Sequence, residues 1–198
     1  MTLADERRGS PIQAFDPSNV RLSSALTGGA LMDVGCYAVN ASRMLFGEEP
    51  LWASAQWDFR EAFGVKVTLA GGLGFSDGRM ATFDCGFRAI GQGHYTVVGT
   101  RGLIDVPIAF VPPNVPTPII FANASGAHEE LVPGVDQYAL QAETFADALS
   151  HGKPAPLSPV DAIGNMRAID ALRTSARSQG ARVAIETDHE SPLVNVGR

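Results

Sequence analysis

Two residues with complementary proton chemistry, Asp33 and Tyr37, stand four apart in "GGALMDVGCYAVNASRMLFG", residues 28 to 47. On a helix, residues four apart share one face and lie about 6 Å apart along the axis. A carboxylate and a phenol so placed can reach the same substrate hydroxyl. The phenol gives or takes a proton, and the carboxylate orients it or the substrate. The blander use of the same pair is structural, with Asp33 capping the helix and Tyr37 packing on a sheet. A D-x-G-x-Y spacing is too short to separate the two uses. Asn40 is seven residues beyond Asp33, two helical turns on, so it is expected to face the same way. Arg21, upstream, is a second side candidate. For both, hydrogen bonding to local backbone is the competing use.

Other chemistry-bearing residues carry less. Cys36 adjoins the pair but points to another helix face, and reads as a small packed residue. The run Gly72-Leu73-Gly74-Phe75-Ser76-Asp77 resembles a dinucleotide fingerprint only superficially: Asp77 replaces the third glycine and no helix follows. The histidines, His94, His128, His151 and His189, are scattered, and no metal-ligand spacing emerges. No G-x-S-x-G elbow is present. Lys153, in "HGKPAP", reads as a solvated charge between two helices.

The elements that must position these groups can be read from patterning. The chain has 198 residues, enough for one domain with a proper core. Its net charge of −6 opposes nucleic acid or an anionic membrane as the main partner. Two distant cysteines, Cys36 and Cys85, do not make a disulfide framework, and no apolar run is long enough for a signal or a membrane span. The expected location is the cytoplasm.

Residues 1–14 read as a polar, mobile lead, 15–185 as one α/β domain and 186–198 as a tail. An Asp-Pro turn at Asp16-Pro17 precedes Gly28-Gly29, after which Leu31, Val34, Ala38, Ala41 and Leu45 recur at the helical interval, with Gly47 as the stop. Residues 51–59, 65–75, 79–87, 94–100 and 102–110 are β-branched and aromatic and read as strands. Ser76-Asp77-Gly78 and Thr100-Arg101-Gly102 are hairpin turns. A weaker pair follows a proline-rich connection. Tyr138, Ala142, Phe145 and Leu149 mark one C-terminal helix. Ala162, Met166, Ile169, Leu172 and Ala176 mark another, with Ser158 as its N-cap and Asp161 at the capping-box position. Strands in series followed by helices give an α+β fold: an open, mostly antiparallel or mixed sheet with helices on one face.

At this point the segments "FDPSNVRL", "GGALMDVGCYAVNASRMLFGEEP", "VVGTRGLIDVPIAF" and "VDQYALQAETFADALSHGKPAPLSPVDAIGNMRAIDALRTSAR" acquire a common meaning. Together, in this order over roughly residues 15–180, they resemble the C-terminal domain of the glucose–fructose oxidoreductase/inositol dehydrogenase (Gfo/Idh/MocA) family. The Asp-x-Gly-x-Tyr form is similar to its sugar and dihydrodiol dehydrogenase branch. The resemblance implies a substrate and oligomerisation domain that works beside a Rossmann domain holding NAD(P). It makes Tyr37 the general acid/base, with Asp33 helping to position it, and puts Arg21 and Asn40 near substrate or nicotinamide.

No Rossmann fingerprint and no Glu-Lys-Pro segment, the family's source of a catalytic lysine, occur in this sequence. A tyrosine working near neutrality must be lowered by about three pH units, roughly 4 kcal/mol. A carboxylate neighbour alone pushes the other way. The expectation is therefore the substrate-binding and dimerisation domain of a truncated NAD(P)-dependent oxidoreductase acting on a sugar or diol CH–OH group. Such a chain binds no cofactor itself, is inactive alone, and calls for a Rossmann-domain partner. Three evident helices cannot cover both sheet faces, so a homodimer or higher homo-oligomer through the sheet face is expected. The alternatives are a non-catalytic module that binds a carbohydrate-like small molecule or pairs through its sheet, and an enzyme of another class reusing Asp33 and Tyr37 without NAD(P).

Overall fold

The structure, a computed structural model, describes residues 2–4, 18–60, 64–89 and 91–186. The Asp16-Pro17 turn, most of the expected lead and tail, and His189 lie outside the described residues. The chain divides into one unit of residues 1–92 and 159–198 and another of residues 93–158.

The first unit is built on five strands, β1 (Thr2–Ala4), β2 (Trp52–Arg60), β3 (Val65–Gly74), β4 (Met80–Gly86) and β9 (Val183–Ala184). They form one sheet in the order β1-β4-β3-β2-β9. β1 runs parallel to β4, within the stretch read as a polar lead, and the other pairings are antiparallel. Alternation selects the face: Ala53, Ala55, Val67, Leu69, Leu73, Phe83 and Cys85 are buried. Between β3 and β4, Asp77 and Gly78 both take left-handed backbone, with φ of 55° and 72°. This is the hairpin that Ser76-Asp77-Gly78 predicts. Glu48 closes it by accepting from Ser76 N at 2.9 Å and from the Arg79 guanidinium at 2.8 Å.

Two helical segments lie on the buried face. A π turn over Leu31–Gly35 runs into α1 (Cys36–Phe46), and α3 (Pro159–Arg177) packs against β2 and α1. Of the stripe read from the sequence, Leu31, Ala38 and Ala41 are buried, Val34 is half-buried and Leu45 is exposed. Gly35, Val39, Ser42 and Arg43 are buried as well. Gly47 ends α1 as expected, with φ of 67° and its N–H on the Arg43 carbonyl.

In α3 the inner stripe is Gly164, Ala168, Ala171 and Ser175, joined by Ile169 and Leu172, whereas Ala162 and Met166 are exposed. Close packing explains the shift, because small residues admit the neighbouring backbone. Ser175 also satisfies a strand: its buried Oγ accepts from Ala55 N at 2.9 Å, on the edge of β2 beyond the short β9. Ser175→Ala leaves that N–H without its acceptor. Urea unfolding should show a loss of about 1–3 kcal/mol with an unchanged m-value.

The second unit is an antiparallel meander, β5 (Tyr95–Gly99), β6 (Gly102–Val106), β7 (Thr117–Asn123) and β8 (Gly126–Val132), followed by α2 (Gln137–Ser150). The two-residue Thr100-Arg101 link joins β5 to β6. Asp136 caps α2, accepting from Tyr138 N and Ala139 N at 3.0 Å each. The expected apolar stripe of α2 is not buried within this unit. Tyr138, Phe145 and Leu149 are exposed, and the buried residue is Ala148. A groove of about 420 Å³ lies between α2 and Ala155-Pro156-Leu157. Among the described residues, no helix is long and apolar enough to cross a membrane.

The architecture is α+β, with both helical segments of the first unit on one sheet face. It differs from a single open sheet in having two sheets, one in each unit.

Candidate active site

Two short 3-10 turns, Val20–Leu22 and Ser24–Leu26, form an arch in front of the helix that carries Asp33 and Tyr37. The Asn19 side chain starts the arch by accepting from Arg21 N at 3.0 Å. Gly28-Gly29 closes it. Gly28 N donates to the Ser23 carbonyl and Gly29 N to the Arg21 carbonyl, each at 2.8 Å. A Cβ on Gly28 would lie 2.4 Å from the Arg21 carbonyl oxygen, and Gly29 holds φ of 114°. The glycine pair is therefore what lets the chain turn back tightly enough to enter the helix.

This closure brings Arg21 to Asp33. Arg21 Nε donates to Asp33 Oδ2 at 2.8 Å, with both side chains about three-quarters buried, 28% and 25% exposed. Asp33 N donates to the Gly29 carbonyl at 3.2 Å, so the carboxylate's own backbone is tied to the same closure. Tyr37 stands 53% exposed one turn along. Gly28→Ala cannot keep the arch as it is, because the obstacle is backbone. It should cost about 1–3 kcal/mol by urea unfolding and release the Arg21–Asp33 pair.

The other expectations sort themselves by contact. Asn40 places its amide 3.4 Å from Asp161 of α3. Gly35 lies against the Cys85 sulfur, so Cys36 and Cys85 are near neighbours of the site. Burial, with a smaller push from Asp33, raises the Cys36 thiol, while burial and then Asp84 raise Cys85 to about 12. Both shifts favour the protonated thiol over the thiolate that nucleophilic chemistry uses.

The Gly72–Gly74 run sits within β3 and leads into the hairpin, as expected. His128 stacks on Phe121, and His151 and Lys153 both meet Asp147. Among the described residues, no group of histidine, cysteine and carboxylate side chains could hold a metal.

Sequence reading misses one charged cluster. Arg43, fully buried, makes two hydrogen bonds to Glu49, Nε–Oε2 at 2.7 Å and Nη2–Oε1 at 2.6 Å. It also meets Asp161 at 3.0 Å and Asn165 at 3.4 Å. A Cβ on Gly164 would lie 2.5 Å from this guanidinium, so the glycine makes room for it. The cluster locks α1 to α3 and thereby fixes the helix that bears Asp33 and Tyr37. The signal for it is an arginine four residues after Val39.

Comparison with known proteins agrees with this architecture. The GFO/IDH/MocA C-terminal domain profile matches residues 4–105. An uncharacterized oxidoreductase, ORF334, from Rhizobium meliloti is 32% identical over 168 residues, 82% of this chain and 50% of that protein. D-xylose 1-dehydrogenase (NADP(+)) 2 from Haloferax volcanii is 30% identical over 169 residues, 85% of this chain and 51% of that protein. Among solved structures, aldose-aldose oxidoreductase from Caulobacter crescentus, complexed with glycerol, superposes with a TM-score of 0.77 at 24% identity. That match covers 93% of this chain and 55% of the other. A 3-ketoreductase from Actinomadura kijaniata, in complex with NADP and TDP-benzene, gives 0.77 at 22% identity over 88% of this chain and 52% of the other. The chain thus spans about half the length of the curated relatives it matches. With a family profile over more than half of its length and a 32% identical relative over 82% of it, this chain is a member of the GFO/IDH/MocA family and carries its C-terminal domain.

Proposed function

We propose that this chain is the substrate side of an NAD(P)-dependent oxidoreductase acting on a CH–OH group of a sugar or diol. The observation that carries the reading is the Asp33 carboxylate, fixed by Arg21 beside an exposed Tyr37 at the head of one helix. Tyr37 exchanges the proton of the substrate hydroxyl, and Asp33 orients the phenol or the hydroxyl. The relatives support the substrate class. They include the D-xylose dehydrogenase and a trans-1,2-dihydrobenzene-1,2-diol dehydrogenase from Xenopus laevis, 31% identical over 138 residues.

The described residues do not fit a nicotinamide dinucleotide. Their glycine-rich run lies in an antiparallel strand and leads into a hairpin, so it offers no strand-to-helix turn for a pyrophosphate. The proton half of the oxidation is therefore assigned to this chain and the carbon–hydrogen half is not. The chain alone is inactive in this reading. Titration with NADPH and NADH, followed by Trp52 and Trp57 fluorescence with calorimetry as control, should show no binding up to millimolar cofactor. Micromolar binding would overturn the assignment.

Self-association through the sheet is part of the same proposal, and exposed Val98 and Leu131 on the second unit's strands support it. Size-exclusion chromatography with light scattering should give a dimer or larger at tens of micromolar. A strict monomer counts against it.

A further inference from the structure

We propose that Arg21 is a positioning residue of this site: its guanidinium holds the Asp33 carboxylate in one orientation and cancels its charge, so that Tyr37 works beside a neutral ion pair instead of a bare anion. The proposal deepens the reading above and rests on Tyr37 being the proton-transfer group. Arg21 has little backbone freedom with which to leave its partner. Its N–H is held by the Asn19 side chain, its carbonyl receives the Gly29 N–H, and Gly28 is wedged against that carbonyl. The Nε–Oδ2 distance is 2.8 Å, and with only about a quarter of each side chain exposed, solvent and salt screen the pair incompletely.

The charge matters because of the helical spacing. A bare carboxylate one helical turn from a phenol disfavours the phenolate, and at an effective dielectric between those of protein and water the effect is about half to one pH unit. Arg21 removes that opposition. The other ionisable groups on this helix and the elements packed around it are Cys36 and Arg43, Lys66 on β3, Asp84 and Cys85 on β4, and Asp161, Arg167, Asp170, Arg173 and Arg177 on α3; Asp161 is paired with Arg43.

The test reads the phenol itself in the chain as it stands. Tyrosines carrying a 13C label at Cζ are titrated by NMR, with Tyr37→Phe assigning the Tyr37 signal apart from Tyr95 and Tyr138. Arg21→Met should raise the Tyr37 midpoint by about half to one pH unit. Arg21→Lys, which keeps the charge, should stay near the parent. Adding Asp33→Asn to Arg21→Met should bring the midpoint back. Coincident titrations of the parent and Arg21→Met overturn the proposal, as does a raised midpoint that persists in the double variant.

If the amide spectrum shows that Arg21→Met loses the arch, Asp33→Asn alone decides. It leaves the cation and removes the anion, so the midpoint should fall, and an unchanged midpoint overturns the proposal. These outcomes are independent of turnover. Full activity in Tyr37→Phe would sink the proposed function and leave the charge coupling standing.

Discussion

Joined to the half that it does not match of D-xylose 1-dehydrogenase (NADP(+)) 2 from Haloferax volcanii, the chain carrying Tyr37→Phe is expected to show a kcat lowered by about 10²–10⁴-fold, with a much smaller change in KM. The substitution removes one hydroxyl and keeps the ring, so binding that depends on the ring's area survives. A proton-transfer group acts in the transition state, and its loss falls on kcat and kcat/KM together. Tyr37 suits such a substitution because it is exposed. Asp33→Asn keeps the shape and removes the charge, leaving Arg21 without its partner, and it should cost less than the loss of the phenol. Steady-state rates of D-xylose oxidation across a pH series check both. A Tyr37→Phe variant within tenfold of the parent would move the proton transfer to another group.

The parts of this arrangement that sequence reveals are those governed by short periods. Alternation along residues 51–87 gives β2, β3 and β4, and Asp77-Gly78 gives their hairpin because both positions take left-handed backbone. The helical interval gives the run that carries Asp33, Tyr37 and Asn40, Leu31–Gly35 and Cys36–Phe46, but no period in the sequence marks its opening π turn.

Arg21 could be named as a candidate, but its partner could not. The contact spans twelve residues through two 3-10 turns that impose no period on the sequence. In α3 the expected stripe holds at Ile169 and Leu172 and fails at Ala162 and Met166, because close packing on β2 and α1 brings Gly164, Ala168, Ala171 and Ser175 inside. On α2 the apolar stripe is real, but within its unit nothing covers it.

The largest effect on stability is expected at a residue with no direct part in the chemistry. Arg43→Met should destabilise the fold by about 3–5 kcal/mol, measured by urea unfolding, because Glu49 and Asp161 then lose the fully buried guanidinium that they share. Burial alone would lower the guanidinium's pKa. The hydrogen bond from Arg43 to Glu49 and the charges of Glu49 and Asp161 outweigh it and raise the value above its ordinary level. The sign follows: a folded value above the unfolded one means that this contribution is fully present below the ordinary titration of arginine, and fades only as pH rises through the folded value. Between about pH 6 and about pH 10 the deficit of Arg43→Met should therefore be flat. A second variant separates the lost pair from the charge left behind. Arg43→Met with Glu49→Met replaces the pair by apolar side chains of similar length, and should recover part of the loss. If the double variant is as unstable as the single one, the cost lies in packing between α1 and α3, and the Glu49 carboxylate is not its source.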